Sequence, residues 1–185
     1  MKQLFLALIT GIFMSSAAQS ADLENTLYLD TKDGRIVIEL LPEKAPKHVA
    51  RLKELTREGF YDDVVFHRVI EGFMAQTGDP TGTGMGGSEK KDLKAEFNDV
   101  SHKRGVVSMA RAASPNSANS QFFIVLEDST FLDRQYTAFG KVTQGMEHVD
   151  AIKKGASHKN GEVTNPDKIV KMSVAADAEK AAANQ

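Results

Sequence analysis

Cysteine is missing from all 185 residues, which excludes disulfides, thiol nucleophiles and cysteine-ligated metal or iron–sulfur sites together. Charge of one sign is missing too. The 23 Lys and Arg residues are scattered among 25 Asp and Glu residues, for a formal net charge of −2. A nucleic-acid module carries a basic stripe, so nucleic acid and anionic membrane surfaces are not expected partners. No apolar run reaches the roughly 20 residues that span a bilayer. The five histidines, His48, His67, His102, His148 and His158, show none of the spacings of common metal sites. No G-x-S-x-G elbow supports a hydrolase of that type. Gly82-Thr83-Gly84-Met85-Gly86-Gly87 matches the dinucleotide fingerprint G-x-G-x-x-G, but Asp79-Pro80 precedes it and the polar run Ser88-Glu89-Lys90-Lys91 follows. The fingerprint needs a strand before it and a helix opening inside it, so this segment reads as a flexible loop.

What is present begins with an export pattern. Met1-Lys2 gives a minimal positive start, Leu4 to Met14 is apolar except for Thr10 and Gly11, and Ser15 to Ala21 is small and polar. That is the order of a secretory signal, with cleavage expected after Ala18 or Ser20. We assign 1–20 to the signal, 24–175 to one globular domain and 176–185 to an Ala-rich tail, expected as a frayed helix or disordered. Removing the signal deletes Lys2 alone among charged residues and moves the net charge to −3. With 41% hydrophobic and 26% charged residues, the chain has ordinary globular composition, and no linker or internal repeat divides it.

The domain is rich in short apolar runs between turns. Thr26–Leu29, the turn Asp33-Gly34 and the alternating Arg35–Leu40 predict a hairpin. Pro46, then Val49, Leu52 and Leu55 at helical spacing, and a stop at Gly59 predict a helix. Strands are expected at Val64–Ile70, Gly105–Ala110, Gln121–Leu126, Ala138–Val142 and Lys168–Val174, and a second helix at Gln144–Lys154. Asn160-Gly161 reads as a turn. This density of strands without regular βαβ alternation predicts a mainly β, closed antiparallel sheet.

Two segments stand out chemically. In Phe66-His67-Arg68-Val69-Ile70-Glu71-Gly72-Phe73-Met74-Ala75-Gln76-Thr77-Gly78-Asp79, strand alternation puts Phe66, Arg68 and Ile70 on one face and Val65, His67 and Val69 on the other. Arg68 is then either a snorkelling surface arginine or a guanidinium aimed into an apolar pocket. The second segment is Ser108-Met109-Ala110-Arg111-Ala112 with Ser120-Gln121-Phe122-Phe123-Ile124, followed by Phe131-Leu132-Asp133 and Tyr136.

These strings, continued by Phe139-Gly140-Lys141-Val142, resemble in the same order the signature of the cyclophilin-type peptidyl-prolyl isomerases, over roughly Thr26 to Val174. The resemblance implies a closed eight-stranded antiparallel barrel capped by two α-helices, acting on X–Pro bonds without metal or cofactor. It implies that Arg68 is catalytic and that Phe73, Met74, Phe123 and Leu132 form a proline pocket. Gln76 and Gln121 would support Arg68 or the substrate backbone, and Ala110, Arg111 and Ala112 would line the groove. Phe131 and Tyr136 fall at the pocket rim. His67 also matches the motif, although alternation turns it away from Arg68 and favours a structural role. Arg111, Phe131 and Tyr136 stand where asparagine, tryptophan and histidine are usual. These choices resemble bacterial exported members and argue against strong cyclosporin binding. The expected partners are proline-containing unfolded polypeptides of an exported, periplasmic compartment, and the expected protein is a monomer that assists folding. A binding module or chaperone that holds proline segments without catalysis is the rival reading.

Overall fold

The computed structural model describes residues 22–184; the expected signal at 1–20 lies outside them. β1 (Thr26–Thr31) and β2 (Gly34–Leu40) form the anticipated hairpin, with Thr31 opposite Gly34 at the turn. Leu27, Leu29, Ile36, Ile38 and Leu40 point inward and are buried. Helix α1 (Pro46–Arg57) starts with proline in its first turn, where the missing N–H costs nothing. It buries Val49, Leu52 and Leu55, each contributing about 1.5–3 kcal/mol. The Glu96 carboxylate accepts from the backbone N–H groups of Lys47 and His48 and ties the loop at 96 to the start of this helix.

The remaining strands are β3 (Arg68–Ile70), β4 (Met74–Thr77), β5 (Val106–Met109), β6 (Phe122–Val125), β7 (Ala138–Gln144) and β8 (Lys171–Val174). All ladders are antiparallel, in the order β3-β4-β6-β5-β7-β2-β1-β8. Eight antiparallel strands match the expectation, but the sheet is curled and open, not closed. No ladder joins β3 to β8 among the described residues. The edge of β3 is taken instead by a loop: Val69 N–H donates to the Gly161 carbonyl and Val163 N–H to the His67 carbonyl. Single bridges at Val65–Lys168 and Arg68–Glu162 complete the seam.

The same seam shortens the expected strand at 64–70. Residues 64–66 bond to 167–169, and the chain changes partner before Arg68. Regular alternation therefore breaks, and Phe66 turns into the main core beside Val69, away from Arg68. β4 was absent from the sequence reading, because a four-residue strand after Gly72 shows little periodicity. Helix α2 (Met146–Ala151) is shorter than expected, since β7 runs on to Gln144 and Gly145 turns the chain at φ 79°. A side chain at Gly145 would strike the Arg35 carbonyl as well as resist that φ. The tail forms helix α3 (Ala175–Ala183), where Asp177 pairs with Arg57 and Glu179 accepts from the Tyr28 hydroxyl.

The sheet has two apolar sides. The enclosed side holds the main core, including Val69, Ala75, Phe122 and Ile124. The outer side of β3, β4, β5 and β6 carries a smaller cluster around Met74, Phe123, Val125 and Leu132. That second cluster is the floor of the site.

Candidate active site

Register builds the site. Arg68 on β3 lies opposite Gln76 on β4, and Gln76 lies opposite Phe123 on β6, which lies opposite Ser108 on β5. Side chains directly opposite on one face are in reach of each other, so arginine, amide and aromatic ring share one row. Arg68 Nη1 donates to Gln76 Oε1 at 3.1 Å, Nε to the Asn160 carbonyl at 3.0 Å and Nη2 to Asn160 Oδ1 at 2.9 Å. Those bonds leave a second N–H on each of Nη1 and Nη2. Burial lowers the Arg68 pKa from its ordinary value, but arginine remains charged throughout the physiological range.

A cavity of about 470 Å³ opens beside the guanidinium, lined by Arg68, Phe73, Met74, Gln76, Ala110, Arg111, Phe123, Phe131, Leu132, Tyr136 and Asn160. Met74, Phe123 and Leu132 are buried in its floor, while Phe131, 65% exposed, stands at the rim with its ring 5.5 Å from that of Phe73. A second cavity of about 410 Å³ adjoins it, sharing Gln76, Ala110 and Arg111 and adding Ala112, Gln121 and the backbone of Gly84–Gly87. The structure thus brings ten of the thirteen sequence-derived candidates to the first cavity and places Ala112 and Gln121 in the second. His67 lines neither. It is buried behind Gly84, and burial holds its imidazole pKa below the usual value.

Gln121 couples the two cavities. Its Oε1 accepts from Gln76 Nε2 at 2.9 Å, and its Nε2 donates to the carbonyls of Gly84 and Gly86 at 3.1 and 2.8 Å. The glycine loop, expected to be a flexible loop, is therefore pinned from one side by Gln121. From the other it is pinned by Asp79, whose carboxylate accepts from the N–H groups of Thr81, Gly84 and Gly86 and from the Thr81 hydroxyl. Burial alone would raise the Asp79 pKa, but these donors outweigh it and bring it down to about 2. A side chain at Gly86 would collide with that carboxylate. The segment wraps an internal anion, β4 ends at Thr77 without running into it, and no helix opens inside it, so its dinucleotide-like spacing is incidental.

Four residues were not assigned these roles in the sequence. Asn160 holds two nitrogens of Arg68 from a left-handed backbone conformation, φ 53°; the Asn-Gly turn signal located it without disclosing its target. Asp133, His102 and Ser108 form a hydrogen-bonded row, with Asp133 Oδ1 to His102 Nδ1 at 2.9 Å and His102 Nε2 to Ser108 Oγ at 3.0 Å. That order imitates a nucleophile–base–acid triad. Ser108 and His102 are fully buried, so no acyl group reaches the hydroxyl. The row instead ties the loop of Leu132 and Asp133 to the underside of Phe123, whose ring stacks on His102. The arrangement that faces solvent is a cationic N–H donor over an aromatic and aliphatic floor.

The family model for "Cyclophilin type peptidyl-prolyl cis-trans isomerase/CLD" matches residues 26–174. The chain belongs to the cyclophilin-type peptidyl-prolyl cis-trans isomerases. A probable peptidyl-prolyl cis-trans isomerase of Brucella suis is 52% identical over 184 residues, covering 94% of this chain and 93% of that one. The fold is similar to a cyclophilin-type isomerase of Cryptosporidium parvum solved in the presence of the dipeptide Ala-Pro. The TM-score is 0.75 at 31% identity, covering 80% of this chain and 98% of that one. The cyclophilin AquaCyp293 of Hirschia baltica gives a TM-score of 0.74 at 27% identity, with 90% and 81% covered. Membership makes the chain an isomerase and fits a site with an electrophilic donor beside an apolar floor.

Proposed function

We propose that this isomerase accelerates rotation about X–Pro bonds in exported polypeptides as they fold, with Arg68 as the catalytic residue and the 470 Å³ cavity as the proline pocket. The observation that carries this reading is the anchoring of Arg68 by Gln76 and Asn160 above the Phe123 floor. The X–Pro amide resists twisting because resonance flattens it, with a barrier of about 18–20 kcal/mol. As it twists, the prolyl nitrogen regains a lone pair that an N–H can bond. A donor held in advance at that point stabilises the transition state more than the planar ground state, which is the condition for catalysis. The apolar floor grips the ring and disfavours the strongly polarised planar amide. No bond breaks, so the mechanism calls for no nucleophile, metal or cofactor. Lowering the barrier by about 7 kcal/mol gives roughly 10⁵-fold acceleration. The Ala-Pro dipeptide in the Cryptosporidium neighbour supports a proline-containing ligand.

Export is supported by the order of charge, apolar run and small residues in 1–21. We assign the mature protein to the periplasm and its clients to unfolded proteins there, which it engages as a monomer. N-terminal sequencing of the periplasmic fraction is expected to begin at Gln19 or Ala21; an intact Met1 on protein in the cytoplasm would refute this. For the chemistry, the test is NMR exchange on a short X–Pro peptide. Wild type is expected to broaden the cis and trans resonances and Arg68→Ala is not. Binding without broadening by wild type would establish a holding module instead.

A further inference from the structure

Arg111 stands on the wall shared by the two cavities, where a cation invites the reading of an anion receptor for acidic substrates. Its bonding points elsewhere. Nε and Nη2 both donate to the Gln135 carbonyl, at 3.2 and 3.1 Å, and Nη1 donates to the carbonyls of Ala112 and Ala113, at 3.0 and 3.3 Å. A guanidinium has five N–H groups. Four are committed to the chain itself, and the one remaining cannot make the paired contact by which arginine grips a carboxylate.

The flat face of the group is committed as well. Its central carbon lies 4.6 Å from the centroid of the Tyr136 ring, a cation–π distance. Tyr136 in turn meets Phe123 edge to face at 5.8 Å and 82°. The Phe123 ring stacks on His102 at 6.4 Å, and His102 is fixed by Asp133 and Ser108. An unbroken stack therefore runs from Arg111 through Tyr136 and Phe123 to a buried imidazole. It crosses the floor of the pocket that faces Arg68. The backbone bonds at the outer end join the 110–113 segment to the 131–136 segment, which carries Phe131 and Leu132.

We propose that Arg111 is a positioning residue, a strut that presses Tyr136 onto Phe123 and so sets the width of the proline pocket, and that its charge is not used to bind acidic substrates. The inference rests on the reading of this pocket as the proline site. Its test uses steady-state isomerisation of three peptides with Glu, Ala or Lys before proline, at low and at 0.5 M salt. Arg111→Gln is expected to raise KM roughly three- to tenfold for all three peptides alike, with kcat within about twofold and no dependence on salt. Arg111→Lys is expected to behave like Arg111→Gln, because an ammonium keeps the charge but cannot fork between the carbonyls of Gln135, Ala112 and Ala113. Tyr136→Leu is expected to reproduce the KM rise. The double variant Arg111→Gln/Tyr136→Leu should be no worse than the poorer single one, as coupled residues require. A KM rise confined to the Glu peptide, abolished by salt and rescued by lysine, would overturn the strut and establish the receptor. Unchanged KM in Arg111→Gln would overturn both. Failure of the underlying site reading is separately visible, since Arg68→Ala would then isomerise all three peptides at the wild-type rate.

Discussion

The two adjoining cavities are built in opposite ways. The one beside Arg68 is made from side chains standing on β3, β4, β5 and β6 and from a clamped turn, so its shape follows from ladder register. Its neighbour is walled largely by the backbone of Gly84–Gly87, held not by a ladder but by the Asp79 carboxylate and the Gln121 amide. Strands fix a reacting centre to within a fraction of an ångström, whereas a loop presents exchangeable polar groups. Under the function proposed above, chemistry would reside in the first cavity and peptide selection in the second, with Gln76 and Gln121 as the mechanical link.

The sharpest way to break this division is Arg68→Ala. Loss of one preorganised donor typically costs about 10²–10³ in kcat, and we expect that fall in kcat with KM little changed. A comparable fall in KM-limited binding alone would move the chemistry elsewhere. Next, Phe123→Ala should destabilise the fold by about 3–5 kcal/mol in urea unfolding, because the ring is buried between His102 and Tyr136. A loss below about 1 kcal/mol would mean that the outer cluster is not a true second core.

Asp79→Asn probes the loop cavity. The Asp79 carboxyl drops from an ordinary 3.8 to about 2 on folding, so the folded state binds the proton more weakly than the unfolded chain. The resulting stabilisation, about 2 kcal/mol, is full above pH 4, declines below it and is gone below about pH 2. Wild type should therefore lose stability across that window more steeply than Asp79→Asn, with kcat at neutral pH nearly equal in both. Parallel acid-unfolding curves would remove Asp79 as the anchor of the loop. The smallest effect is expected from Asn160→Gly, which tolerates φ 53° and keeps the carbonyl bond to Arg68 Nε while deleting the one to Nη2. One hydrogen bond is worth about 0.5–1.5 kcal/mol, so kcat should fall roughly two- to tenfold.

Legibility in the sequence tracked the length of each periodic signal. The β1–β2 hairpin and α1 were plain, because alternation and helical spacing run over enough residues to be read. The Arg68–Gln76–Phe123 row followed from motif resemblance, and the ladders give its physical cause. Phe66 was misassigned, since alternation holds only while a strand keeps one partner and this chain exchanges partners at 66–68. Closure of the sheet was overestimated for a different reason: strand density says nothing about whether the first and last edges meet. The Asp133–His102–Ser108 row and the Asn160 clamp join residues up to 92 positions apart, and no local pattern announces such a contact.

The pairing of β1 with β8 has a consequence for the order of events in folding. Residues 27–30 find their outer neighbours only in residues 171–174, and Arg57 completes its ion pairs only with Asp177 of α3 and Glu24. The strand made first therefore keeps one bare edge until nearly the whole chain has been synthesised, and contacts of such long sequence separation form slowly. A chain built this way stays open during its own translation. Its isomerase fold is complete only after its own last strand has arrived.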